Sequence, residues 1–185
     1  MEGPELRYPQ KRATDTSFNY ENRSPWNNPG IDTAAVPYPH NVFPSSITGI
    51  PGHNVENVKL ENLEIIYEGG ANKNINYYSL DSLHSVSEAE KAYPEFSMFG
   101  ELPAWGLYVR HVKGLTLKNV QLKFIHEDFR AACIFDDVEG LNLSKISIPS
   151  YRELPIIVLS KVKEHSLNQL RLPVALSKAV EINKR

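Results

Sequence analysis

The chain has 185 residues, a formal net charge of −2 and a single cysteine. A chain of this length can bury one sizeable core. Its mixed charges form no basic stripe of the kind that binds nucleic acid. No apolar run is long enough to span a membrane, and the polar, proline-rich N-terminus lacks the apolar region of a secretory signal.

Residues 1–45 show neither a helical nor a strand period, and they are rich in proline, asparagine and aromatic residues. We expect this segment to form an irregular loop that packs on a surface, because its aromatic residues argue against plain disorder. Residues 46–185 carry the regular pattern and predict one domain.

One phrase recurs four times in that domain, as VENVKLENLEI from Val55, VKGLTLKNVQL from Val112, VEGLNLSKISI from Val138 and VKEHSLNQLRL from Val162. The last three copies begin 26 and 24 residues apart, and the first gap is longer because of an insertion. A period in the twenties with apolar residues at fixed offsets is typical of a solenoid.

Within each copy the apolar residues alternate, as they do in strands, and no sustained helical spacing is present. Leucine-rich repeats share the period, but they need a helical turn for which there is little room. The pattern therefore predicts an all-β fold, a parallel β-helix of four to five coils with three short strands in each coil.

The corners of the coils carry residues that suit sharp bends. Asn62 and Asn119 share one offset, and Gly114 and Gly140 share another. Both residue types tolerate the left-handed backbone conformation. Cys133 lies in an inward column, which predicts a small buried hydrophobe rather than a nucleophile.

Variable lengths of chain enter at one corner of the coils. The longest insertion is 66–104, in which Ser87 and Glu90 have the spacing of a helix-capping box. Insertions on one face of a repeat protein often form its binding face. After Leu172 the chain predicts a last partial strand. The stack begins abruptly near Ile47, so we expect self-association through the exposed first coil.

Three segments resemble one protein family: SSITGIPGHNVENVKLENLEI, YPEFSMFGELPAWGLYVRHVKGLTLKNV and FRAACIFDDVEGL. They resemble the C-terminal coils of bacterial glycoside hydrolase family 28, which contains polygalacturonases and related pectin-degrading enzymes. The resemblance implies a right-handed β-helix, most of which would precede residue 1. It also implies a pectic polysaccharide or oligosaccharide as partner and a secreted or periplasmic location.

The catalytic signature of that family is missing from this chain. The family's motifs resemble Asn-Thr-Asp, Asp-Asp, Gly-His-Gly and Arg-Ile-Lys, whereas His53 lies in PGHN and Asp136-Asp137 is the only adjacent aspartate pair. We therefore assign no catalytic residue. The six histidines do not cluster with cysteines or acids, so no metal and no cofactor is predicted.

A column of polar residues is the main candidate for sugar binding. His53, Arg110, Asp136 and Ser160 are expected to point outward on adjacent coils, where they would form a polar floor for an acidic sugar. The competing and favoured interpretation is an ion pair between Arg110 and Asp136, worth about 0.2–1 kcal/mol on a solvated sheet.

Three further residues are candidates for substrate binding. Trp105 and Tyr108 could stack on sugar rings, although loop aromatics more often anchor a loop to its own scaffold. Glu101 is either a lone acid or a solvated charge, because a glycosidase needs two carboxylates.

Three functions follow from these observations. The first is a catalytically silent C-terminal part of a pectin-active glycoside hydrolase. The second is a carbohydrate-binding module without catalysis. The third is an active enzyme that pairs Glu101 with Asp136 or recruits a partner chain.

Overall fold

The computed structural model describes residues 43–71, 79–88, 90–91, 99 and 102–183, so residues 1–42 of the expected N-terminal loop lie outside the described part. The described residues are mainly parallel β-strands, which confirms the all-β prediction. In chain order the elements are β1 (Ser45–Thr48), β2 (Val55–Gly69), a 3₁₀ helix (Leu80–Ser85), β3 (Ala104–His126), β4 (Ala131–Ser147), β5 (Ile157–Ser160), β6 (Lys163–Asn168), α1 (Leu176–Ala179) and β7 (Val180–Asn183).

Strands of successive repeats pair in parallel with the offset that the repeated phrase predicts. Val55 pairs with Val112 and Val112 pairs with Val138. One repeat later, Glu139 pairs with Lys163. Residues at the same offset in the phrase therefore lie next to one another across the sheet.

Single-residue bends in the left-handed backbone conformation divide the repeats. They form three aligned columns: His111, Asp137 and Lys161; Asn57, Gly114, Gly140 and Glu164; and Asn62, Asn119, Lys145 and Gln169. The predicted bends at the asparagines and glycines are confirmed, and Asn119 Nδ2 donates a hydrogen bond of 2.8 Å to Asn62 Oδ1. Pairing continues through the bends, so β3 and β4 run for 23 and 17 residues.

The core is built from the inward side chains of β3 and β4. Its buried members include Leu107, Val109, Leu115, Leu117, Val120 and Leu122 from β3, and Cys133, Phe135, Leu141, Leu143 and Ile146 from β4. Each fully buried aliphatic side chain contributes about 1.5–3 kcal/mol. The equivalent apolar residues of β2 are only partly buried, because β2 pairs with β3 alone within the described residues.

Cys133 confirms the direction of its column. Its side chain is buried in the core, and burial raises the pKa of the thiol to about 12. Since the thiolate is the reactive form of cysteine, this residue packs as a small hydrophobe.

The described residues of the insertion between β2 and β3 include Leu83, Val86, Phe99 and Leu102, which pack on the outer face of the sheet. The 3₁₀ helix of the insertion begins after Ser79, whose Oγ accepts a hydrogen bond from the backbone N–H of Asp81 at 3.3 Å. The helix expected from the capping-box spacing does not begin at Ser87, since 86–88 are not helical. Part of that expected helix, residues 92–98, lies outside the described residues.

The last strand predicted from the sequence is present. β7 pairs in parallel with β5, with Val180 opposite Ile157. The short helix α1 precedes it, and the carbonyl of Ala179 accepts a hydrogen bond from the N–H of Ile156. The final segment thus continues the same parallel sheet.

Candidate functional site

The outward residues at the ends of β1, β3, β4, β5 and β7 form one column. Thr48 pairs with Arg110, Arg110 with Asp136, and Asp136 with Ser160. The structure therefore brings together Arg110, Asp136 and Ser160, as the sequence predicted.

The expectation that His53 belongs to this column is wrong. Residues 49–54 form a loop between β1 and β2, and His53 is exposed there in an antiparallel bridge with Ile50. In the next repeat the single residue His111 spans the same corner. The prediction placed His53 by its distance from the start of β2, and the longer loop makes that distance wrong. Thr48, not His53, is the residue that pairs with Arg110 in this column.

Arg110 forms an ion-pair network with a buried carboxylate of β4 and a partly buried one of the insertion. Its Nη2 atom lies 3.0 Å from Oε1 of Glu88. Its Nε atom lies 3.3 Å from Oδ2 of Asp136, an electrostatic contact without hydrogen-bond geometry. Nη1 donates a 3.1 Å hydrogen bond to the carbonyl of Val86. With side-chain exposures of 9% for Arg110 and 2% for Asp136, the pair is shielded from solvent rather than placed on a solvated face.

His111 extends the network past the corner. Its Nε2 atom lies 2.9 Å from Oε1 of Glu88, and its Nδ1 atom lies 2.6 Å from Oδ2 of Asp137. Only the imidazolium form can donate to both carboxylates at once. Glu88 thus bridges Arg110 and His111, which joins the insertion to the ends of β3 and β4.

Tyr108 lies beside this network and is completely buried. Burial raises the pKa of its phenol well above the ordinary value, while the nearby positive charge of Arg110 opposes the shift. Within the described residues, neither its hydroxyl nor Oδ1 of Asp136 has a hydrogen-bond partner.

The insertion covers the face that was expected to receive a sugar. Leu83, Val86, Phe99 and Leu102 pack against the outward side chains of β3, β4 and β5. The interpretation of Arg110, Asp136 and Ser160 as an open polar floor is therefore wrong, and Tyr108 is buried, with no exposed ring face for a sugar. The physical reason is that apolar residues of the insertion bury this face, and Arg110 is engaged by Asp136 and Glu88.

Trp105 does not face outward either. It lies in the core and is 2% exposed. Its ring packs edge-to-face on Tyr67 and Phe124, with centroid distances of 5.8 and 5.0 Å. The expected stacking of Trp105 on a sugar is thus excluded by burial. Glu101, the other loop candidate, lies outside the described residues.

A second buried ion pair was not anticipated from the sequence. Arg130 donates from Nε and Nη2 to the two carboxylate oxygens of Asp128, at 3.0 and 2.8 Å. Asp128 also accepts from the N–H of Ala71, and Arg130 donates to the carbonyl of Leu102. The pair ties together three loops, and its only sequence signal is two opposite charges inside a short insert.

An open polar groove lies on a different face of the repeats. It has a volume of about 700 Å³, and its polar lining consists of Asn119, Gln121, Lys145, Ser147, Gln169 and Arg171. Sequence reasoning missed this groove. The signal was present, because these residues occupy two fixed offsets in three successive copies of the repeated phrase.

The chemistry available at the ends of the strands is limited. Glycoside cleavage needs two carboxyl groups placed on either side of the scissile bond. Here Asp136 and Glu88 contact Arg110, and Asp137 contacts His111. The described residues contain no group of three or more His, Cys, Asp or Glu side chains that could hold a metal ion.

Comparisons of the chain with protein families, curated proteins and solved structures give no match. Among the described residues, no helix has the length and apolar character that a membrane-spanning segment requires.

Proposed function

We propose that this chain forms the C-terminal coils of a pectin-active glycoside hydrolase related to family 28, and that these coils are catalytically silent by themselves. The observation that carries the proposal is the Arg110 network. Asp136 and Glu88 contact Arg110, Asp137 contacts His111, and the insertion buries the surrounding face.

A right-handed parallel β-helix is the architecture that we propose for these repeats. Parallel pairing at a constant offset and three aligned columns of bends support this winding. The right hand, the pectic substrate and the secreted or periplasmic location rest on the resemblance of three sequence segments to the family. Among the residues that the structure describes, β2 pairs only with β3, which supports further coils or a second copy stacking on the first repeat.

Reducing-sugar release tests the proposal. Polygalacturonate, rhamnogalacturonan and a control glucan would each be incubated for a day at high protein concentration. We expect no release from any of them. Release from a pectic substrate that disappears in Asp136→Asn would refute catalytic silence and favour the enzyme that pairs Glu101 with Asp136.

A carbohydrate-binding module without catalysis is the second candidate. The specific observation in its favour is the open groove lined by amides, a hydroxyl and two cations. Saturable binding of an oligosaccharide without release of reducing ends would support this function.

A further inference from the structure

We propose that the open polar groove, which is lined by equivalent residues of three successive repeats, binds an oligosaccharide whose sugars carry carboxylates. The choice of a pectic probe rests on the proposed function, but the groove is separate from the Arg110 network. It spans three repeats: Asn119 and Gln121 come from β3, Lys145 and Ser147 from β4, and Gln169 and Arg171 from the segment after β6.

The repeat places these six side chains in two parallel rows. Asn119, Lys145 and Gln169 occupy the row of bends. Gln121, Ser147 and Arg171 form the other row, and Ser147 pairs directly with Arg171. Neighbouring strands lie about 4.8 Å apart, so an extended ligand lying across the strands meets a new polar side chain at each repeat.

The charge of the groove selects the class of ligand. Neither Lys145 nor Arg171 makes an ion pair in the described part of the chain, and no carboxylate from that part lines the groove. Some other surface lysines are paired with carboxylates, as Lys123 is with Glu64. Two unpaired cations favour an anion, and the planar guanidinium of Arg171 can bind a carboxylate through two hydrogen bonds.

The remaining lining favours a sugar over a simple polyanion. The amides of Asn119, Gln121 and Gln169 and the hydroxyl of Ser147 can each donate and accept hydrogen bonds, which suits sugar hydroxyls. Among the residues that the structure describes, no aromatic ring lines the groove, so a neutral glycan would lack a stacking surface there. The groove therefore suits an acidic glycan better than a neutral one.

Calorimetric titration with oligogalacturonate tests this proposal. Lys145→Gln/Arg171→Gln is compared with Lys113→Gln/Lys163→Gln, which removes the same charge from exposed residues on another face. We expect saturable binding that weakens with salt, at least tenfold weaker in the groove variant and changed less than twofold in the control. Circular dichroism would verify that both variants are folded.

Two further ligands complete the experiment. A neutral malto-oligosaccharide should not bind, and polyglutamate should bind much more weakly than oligogalacturonate. Three results would refute the binding of an acidic glycan in the groove. They are an equal loss of affinity in both double variants, an equal affinity for polyglutamate and oligogalacturonate, and no binding by the unmodified chain. The proposed catalytic silence fails separately, only if reducing ends are released.

Discussion

Removing one partner of the buried ion pair between Asp128 and Arg130 should strongly destabilise the protein, and Arg130→Met tests this. The substitution leaves the Asp128 side chain, which is 0% exposed, with hydrogen bonds from the N–H groups of Ala71 and residue 130 but without its cation. Breaking a buried pair by removing one partner costs about 3–5 kcal/mol. With an m-value of about 2 kcal/mol per molar urea, the unfolding midpoint should fall by about 1.5–2.5 M.

Lys123→Met is the matched control, since it removes a cation from the exposed pair with Glu64 and should cost at most about 1 kcal/mol. The double variant Asp128→Asn/Arg130→Met should be more stable than Arg130→Met, because it removes the uncompensated charge and keeps an acceptor for the backbone. Urea unfolding followed by circular dichroism measures all three. Equal midpoint shifts for Arg130→Met and Lys123→Met would refute the reasoning.

Three other predictions concern single side chains. Burial raises the pKa of Tyr108, so as pH rises this phenol ionises first in the unfolded chain. The free energy of unfolding should therefore be unaffected by this group below about pH 10 and should fall above it, by up to about 1.4 kcal/mol per pH unit. Tyr108→Phe should flatten this loss between about pH 9 and 11 in urea unfolding; an unchanged slope would contradict it. Asn119→Ala should cost about 1–2 kcal/mol at its left-handed bend, and Asn119→Gly less; the reverse order of unfolding midpoints would count against the bend. Alkylation of Cys133 should be at least about a hundredfold slower in the folded protein than in urea, and comparable rates would show that the thiol is accessible.

The repeated phrase was enough to predict the parallel pairing and the bends. Residues at one offset share one environment in a stacked repeat, so Asn62 and Asn119 could be matched from the sequence alone. The same logic could have placed Trp105 correctly. It has the same alternation as Leu107 and Val109, and all three side chains point inward.

The features of the site that the sequence did not predict depend on segments outside the repeats. His53 was misplaced because the loop 49–54 adds residues at one corner only. The burial of Tyr108 and Arg110 depends on long-range packing of Val86 and Glu88 from the insertion. A repeat pattern does not predict contacts with a segment outside the repeats. Residue spacing alone therefore could not identify Glu88 as the partner of Arg110 on the insertion.

Mapping a bound acidic sugar onto the backbone amides distinguishes the open groove from the covered strand ends. In a nuclear magnetic resonance titration with oligogalacturonate, we expect chemical-shift changes at the amides of Gln121, Ser147 and Arg171 and none at those of Arg110 and Asp136. Shifts centred on Arg110 and Asp136 would show that the covered face opens to the sugar. That result would contradict the claim that these charged side chains contact only other groups of the protein.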